Sequence, residues 1–271
     1  MANIDDSAKL VVFTAEYIKL ARSELEERWH KWKLDLTKRE VHEVVGALLA
    51  RQVSLATQVA DAPSIWNGHI APIVLRTMTD THITLAWILC DSLDRARKYI
   101  MYGLGQEKLH LEHRKAQLES EGIDPKTDPI LKASEDWLNS QRYTFLTEVN
   151  VGSWAGIDTR TMADEAGCLD LYNFAYSPFS AATHSTWQHV SKYNLVPCTN
   201  PLHGYHRIPV APDTPFADID YFYNAAKYLE KSFKLFDETF EVEISAPSAF
   251  IALDEFLREL NGSNGESSEG D

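Results

Sequence analysis

Three cysteines in 271 residues, Cys90, Cys168 and Cys198, are too few and too far apart for a disulfide framework, and their number is odd. That favours a reducing, cytoplasmic setting and a fold held by its own core. The acidic N-terminal stretch lacks the basic-then-apolar order of a signal peptide. Long apolar runs are missing too. The most apolar segment, 70–90, is interrupted by Arg76, Asp80 and His82, whereas a spanning helix needs about 20 mostly apolar residues; no membrane is expected. Basic residues are the minority, 26 Lys and Arg against 40 Asp and Glu, for a net charge of −14. Wide non-specific nucleic-acid binding is disfavoured, since it depends on neutralising phosphates, although a small basic cleft remains compatible. No glycine-rich nucleotide loop, HExxH helix or nucleophile elbow is present, so dinucleotide enzymes, nucleotide motors and zinc proteases lose their support and no cofactor is expected. No internal repeat is visible.

What is present is helical periodicity. Hydrophobic residues make up 44% and charged residues 24%, a globular balance in a chain long enough to bury a core. Across 6–28, Leu10, Phe13, Tyr17, Leu20, Ala21 and Leu25 share one helical face. Thr37, with Glu40 three residues on, matches a capping box that opens a second helix, and Asp61-Ala62-Pro63 closes it. A third helix, 66–90, is the most apolar, with Pro72 near its start. A fourth, 92–121, is heavily charged and stops at Gly122. Asp128 and Pro129 read as the cap and first turn of a helix to about 148. A loop over 149–158 follows, then a short helix ending at Gly167 and another through Tyr176. Ser177-Pro178 repeats the cap-then-proline signal, so a new helix is expected there. Five prolines mark 195–216 as a long loop. A last amphipathic helix covers 217–243, a short one follows Pro247, and 261–271 reads as a disordered tail. The expected class is all-α, a bundle of about seven to nine helices, in a single domain over 1–260 with its core in 37–243.

Three constellations could carry chemistry. Arg76 and Asp80, four apart on the most apolar helix, project from one face; they are either a buried ion pair or a guanidinium aimed at a phosphate. Ser180 and His184 have the same spacing, Trp187 and Gln188 would extend that face, and Tyr172 and Tyr176 lie just upstream. These groups can exchange protons or hydrogen-bond a ligand, but a lone helical histidine is more often simply a satisfied side chain. Cys198, His203 and His206 are metal-ligand types in one loop. The second nearby cysteine of a standard zinc knuckle is absent, so the expectation is a proline-rich loop without a metal.

These residues carry a resemblance. Val74-Leu75-Arg76-Thr77-Met78-Thr79-Asp80 has an arginine followed four residues later by an acid, the run 162–167 precedes Leu171 and Tyr172, and Tyr176 precedes a serine-x-x-x-histidine run, Ser180 to His184. Over about 44–193 the chain resembles a bacterial family of all-helical proteins of unknown function, in which that acid is usually glutamate. This family is distantly similar to HEPN domains, many of which are metal-independent ribonucleases in toxin–antitoxin and anti-phage defence. The resemblance implies RNA as substrate and a homodimer with a composite cleft. His184 would be the general acid or base and Arg76 would stabilise phosphate charge. Asp80 would orient Arg76, and Ser180, Tyr176 and Tyr172 would position the phosphate. The HEPN arginine and histidine share one helix as R-x(4–6)-H; here Arg76 would reach His184 from a different helix. Beside this reading stand a non-catalytic binding or regulatory module, in which the same residues form a structural network and a protein partner is met, and a small-molecule enzyme.

Overall fold

A helix with one apolar stripe must bury it against another. The computed structural model describes residues 4–141, 154–212 and 217–265. There the stripes meet as ten α-helices and a single two-stranded sheet, one helix more than the upper expectation. In chain order they are α1 (Ile4–Lys31), α2 (Arg39–Asp61), α3 (Ala71–Cys90), α4 (Ser92–Ser120), α5 (Pro129–Ser140), α6 (Thr159–Glu165), α7 (169–183), α8 (Trp187–Tyr193), α9 (Asp220–Phe240) and α10 (Ala249–Gly265).

The centre is a mutual packing of α2, α3 and α9. Leu49 comes from α2, Leu75, Met78 and Ile83 from α3, and Phe222, Leu229, Phe233 and Phe236 from α9, all essentially without solvent contact. α1 lies on α2, α10 on α1 and α9, while α6 and α7 pack on α3. A second, smaller core joins α4 to α5. Leu104, Leu111 and Leu118 recur every seven residues on α4, facing Leu131 and Leu138 on α5 with the same interval, the spacing of an antiparallel coiled-coil seam. Asp128 caps α5 by accepting from the backbone N–H groups of Ile130 and Leu131, at 2.8 and 2.9 Å, and Arg114 adds a charged partner.

Several polar groups in the main core are paired across elements. Gln52 Nε2 donates to the Met78 carbonyl and to Ser232 Oγ, at 2.9 and 3.0 Å. The Ser232 hydroxyl spends its proton on the Tyr228 carbonyl, so His82 Nδ1, 3.0 Å from the same oxygen, is the donor there. Burial, aided by Lys231, holds the His82 pKa down to about 4, and the ring is neutral. Further along α9, Arg28 forks onto Asp237 at 2.8 and 2.7 Å and lies over the Phe233 ring, tying α1 to α9.

Several boundaries differ from expectation. The capping box at Thr37 does not form. Asp35, two residues earlier, takes both the Thr37 N–H and its hydroxyl, producing a short 3₁₀ turn, and α2 opens at Arg39 without a side-chain cap. α3 begins at Ala71 rather than 66, because Asn67 accepts from His69 and Ile70 and holds the preceding residues in a turn. Ser177-Pro178 does begin an α-helical segment, Ser177–Thr183, with the proline in its first turn, but without a side-chain cap and continuous with the turns before it. The pair sits inside α7, whose segments Leu169–Leu171 and Ser177–Thr183 are joined by a π-turn over Tyr172–Tyr176. The wider i→i+5 register, seen in the Ser177 N–H to Tyr172 carbonyl bond, accommodates a proline nitrogen that cannot donate. α10 runs to Gly265, into the stretch read as tail. α5 stops at Ser140, with Gln141 already extended at ψ 135°, short of the expected 148; residues 142–148 lie outside the described residues. Within the proline-rich stretch, β1 (Leu195–Pro197) pairs antiparallel with β2 (Arg207–Pro209), Val196 opposite Ile208. Among the described residues, no helix is long and apolar enough to cross a membrane.

Candidate functional site

The seam between α3 and α7 gathers most of the residues singled out by sequence. Arg76, one turn and a half into α3, points at α7. Its Nε donates to Ser180 Oγ at 2.8 Å, and Ser180 donates its own proton to the Tyr176 carbonyl at 2.8 Å. The guanidinium carbon lies 3.1 Å from the centroid of the Tyr176 ring. Tyr172 stacks on that ring, centroids 4.8 Å apart and planes 22° from parallel, so one cation and two aromatic rings gather at the seam. The Tyr176 hydroxyl donates to Thr159 Oγ1 at the start of α6, at 3.1 Å. The π-turn makes this possible: an extra residue in the turn rotates the face that follows, so Tyr176 and Ser180 both turn towards α3.

Asp80 is the looser member. It approaches Arg76 at 3.7 Å, and its side chain is 48% exposed against 15% for Arg76. Desolvation on the walled side raises its carboxyl above the ordinary aspartate range, with Arg76 pulling the other way. Tyr99 of α4 stands close enough for its hydroxyl to be raised by burial and by the Asp80 charge. Burial likewise raises Tyr176.

His184 does not join this set. α7 stops at Thr183, and His184 occupies the cap position with Ser185 at φ 47°. The Ser185 N–H bonds the Ala182 carbonyl, and that of Thr186 bonds Ala181, the paired bonds of a Schellman ending. The imidazole is exposed, and no hydrogen bond or ring contact of it occurs among the described residues. Trp187 and Gln188 start the separate helix α8 and do not continue the Ser180 face.

Sequence reasoning passed over a second cluster. His69 meets α8: its ring lies 5.3 Å from Tyr193 and 6.0 Å from His189, which is itself 4.8 Å from Tyr193. Desolvation lowers the His189 pKa. The four-residue interval from His189 to Tyr193 was the one signal available. Tyr99 and Thr159 carried none, since only the tertiary fold brings them to the seam. The loop set Cys198, His203 and His206 does come together, its donor atoms within 4.8 Å of one another.

A model of the family of unknown function DUF5677 matches residues 42–200. The chain belongs to that family. The match spans α2 through β1, and so includes the whole α3–α7 seam, with Arg76, Asp80, Tyr172, Tyr176, Ser180 and His184 inside it. No curated protein and no solved structure matches the chain.

Proposed function

We propose that this chain is a helical binding or regulatory module in which the Arg76 set locks α7 onto α3, and that it is not a metal-independent ribonuclease. One observation supports this reading above the others: the Arg76 guanidinium is spent on Ser180, Tyr176 and Asp80, while His184 stands outside that set. General acid–base cleavage of RNA needs an imidazole within hydrogen-bond reach of the atoms it serves, next to the group that neutralises phosphate charge. Ser180 is also no free hydroxyl, because its proton is committed to the Tyr176 carbonyl. The partner of such a module is a protein rather than RNA. The acidic excess, −14, opposes phosphate binding, whereas Trp187, Leu202 and Tyr205 are exposed on and beside the β1–β2 hairpin. Assembly as a homodimer, action on RNA and a place in bacterial defence belong to the HEPN-like alternative.

RNA incubation in EDTA, together with thermal melting of wild type, Arg76→Ala and His184→Ala, tests the reading. No cleavage is expected from any of the three. Arg76→Ala removes a charged hydrogen bond to Ser180 and the cation from the Tyr176 ring, at a cost of about 1.5–3 kcal/mol, which lowers the melting temperature of a domain this size by several degrees. His184→Ala melts with the wild type, as an exposed substitution should. Cleavage by wild type that both variants lose, with unchanged melting, overturns the proposal in favour of the nuclease.

A further inference from the structure

The β1–β2 hairpin ends in a nine-residue connection, 198–206, whose backbone is already organised. The Cys198 N–H donates to the His206 carbonyl at 2.9 Å, extending the ladder by one bond and setting the first and last residues of the connection side by side. Between them the His203 N–H bonds Asn200 and the His206 N–H bonds His203, both at 3.0 Å, and Tyr205 takes a left-handed φ of 63°. This folds His203 back over the base of the hairpin. Its Nδ1 comes to 3.6 Å from Cys198 Sγ.

We propose that Cys198, His203 and His206 form a binding site for a divalent cation of the zinc type. The donor set selects the class: one thiolate and two imidazoles suit zinc and are poor ligands for magnesium or calcium, which take oxygen. The spacing agrees as well. Zinc bonds of about 2.3 Å to sulfur and about 2.0–2.1 Å to nitrogen, opened to the tetrahedral angle, separate the two donors by about 3.6 Å, the separation seen between Sγ and Nδ1. The His206 donor lies within 4.8 Å of the other two, a gap that rotation of an exposed side chain closes. Cys198 binds as the thiolate and releases its proton to solvent. Asn200 faces the opposite nitrogen of His203, Nε2, at 3.1 Å. The Asn200 Oδ1 is held by the Leu202 N–H at 3.0 Å, so with Nδ1 on the metal the Asn200 amide group gives way and the Nε2 hydrogen of His203 goes to solvent. Three protein ligands leave a fourth position to water or to a partner's donor. Two of the three, His203 and His206, lie past the end of the family match. The site stands independently of the α3–α7 seam and of the function proposed for it.

The test uses the full chain stripped with EDTA. Zinc is titrated by calorimetry, and cobalt(II) serves as an optical probe of thiolate coordination. One zinc per chain is expected, with proton release and, under cobalt, a sulfur-to-metal absorption band. Cys198→Ser and His203→Ala each weaken zinc binding by more than about tenfold, while Cys90→Ser and Cys168→Ser bind as wild type. Far-UV circular dichroism on every variant keeps a folding defect from being read as a lost ligand, and His206→Ala replaces any variant that fails it. No zinc uptake by wild type, or uptake that the Cys198 and His203 variants retain, overturns the proposal.

Discussion

Arg76 lies in an apolar stripe where an unpartnered guanidinium would cost several kcal/mol, and its three partners are unequal. The hydrogen bond to Ser180 is of the charged kind, about 1.5–3 kcal/mol. The Tyr176 ring contributes about 0.5–2 kcal/mol in a partly desolvated setting. Asp80, at 3.7 Å and half-exposed, is of the kind that gives about 0–1 kcal/mol. Arg76 is therefore held by α7 more than by its helix neighbour, the reverse of the emphasis that the four-residue spacing gives. A second residue-scale consequence concerns His82. Its folded pKa, about 4, lies below the ordinary 6.5, so the unfolded chain binds the proton first. Stability is fully present above about pH 6.5 and is lost as the pH falls from there to about 4, by on the order of 3 kcal/mol. The downward shifts at His42 and His189 act in the same direction, and the raised carboxyls of Asp80 and Glu24 act against it. Urea unfolding of wild type and His82→Gln across this range should show a flatter pH dependence in the variant; equal slopes would contradict it.

At the level of elements, helix ends show what a sequence does and does not disclose. α4 ends in a Schellman motif with Gly122 at φ 73°, and glycine there is the residue that adopts a left-handed φ without strain. The end of α7 is built from the same pair of bonds, but its left-handed residue is Ser185. With no glycine to announce the stop, Ser180, His184 and Trp187 read as one continuous face. The π-turn was hidden for a similar reason, since Ser177-Pro178 is also the usual signature of a helix start. Glycine at 68 marks a close approach instead. A Cβ there would fall 2.3 Å from Tyr193 Cε1 and 2.4 Å from its Cζ, in a ring packed against both His69 and His189. Replacing glycine by alanine often stabilises by about 0.4–1 kcal/mol through the unfolded state. Here the overlap should prevail, and Gly68→Ala is expected to destabilise by about 1–3 kcal/mol, read by thermal melting with Tyr193 displaced. An unchanged or higher melting temperature would show that α8 yields freely.

Across the whole molecule, the all-α class and most helices were legible, because periodicity over a dozen or more residues records which face is buried. Partnerships between distant helices were not: Gln52, His82 and Ser232 meet only once α2, α3 and α9 have packed. The charged appearance of α4 likewise concealed its leucines, seven residues apart, which serve a core of their own with α5. With five leucines against the much larger main core, that arm should open more readily. Native-state hydrogen exchange is expected to give lower opening free energies for α5 than for α9, and equal protection in the two would contradict a separate small core. The most direct measurement of the central claim is a double-mutant cycle of Arg76→Ala and Ser180→Ala, read as unfolding free energy in urea. A locking seam predicts a coupling of about 1 kcal/mol or more. Strictly additive effects would mean that Arg76 does not hold α7 in place and is available for another task.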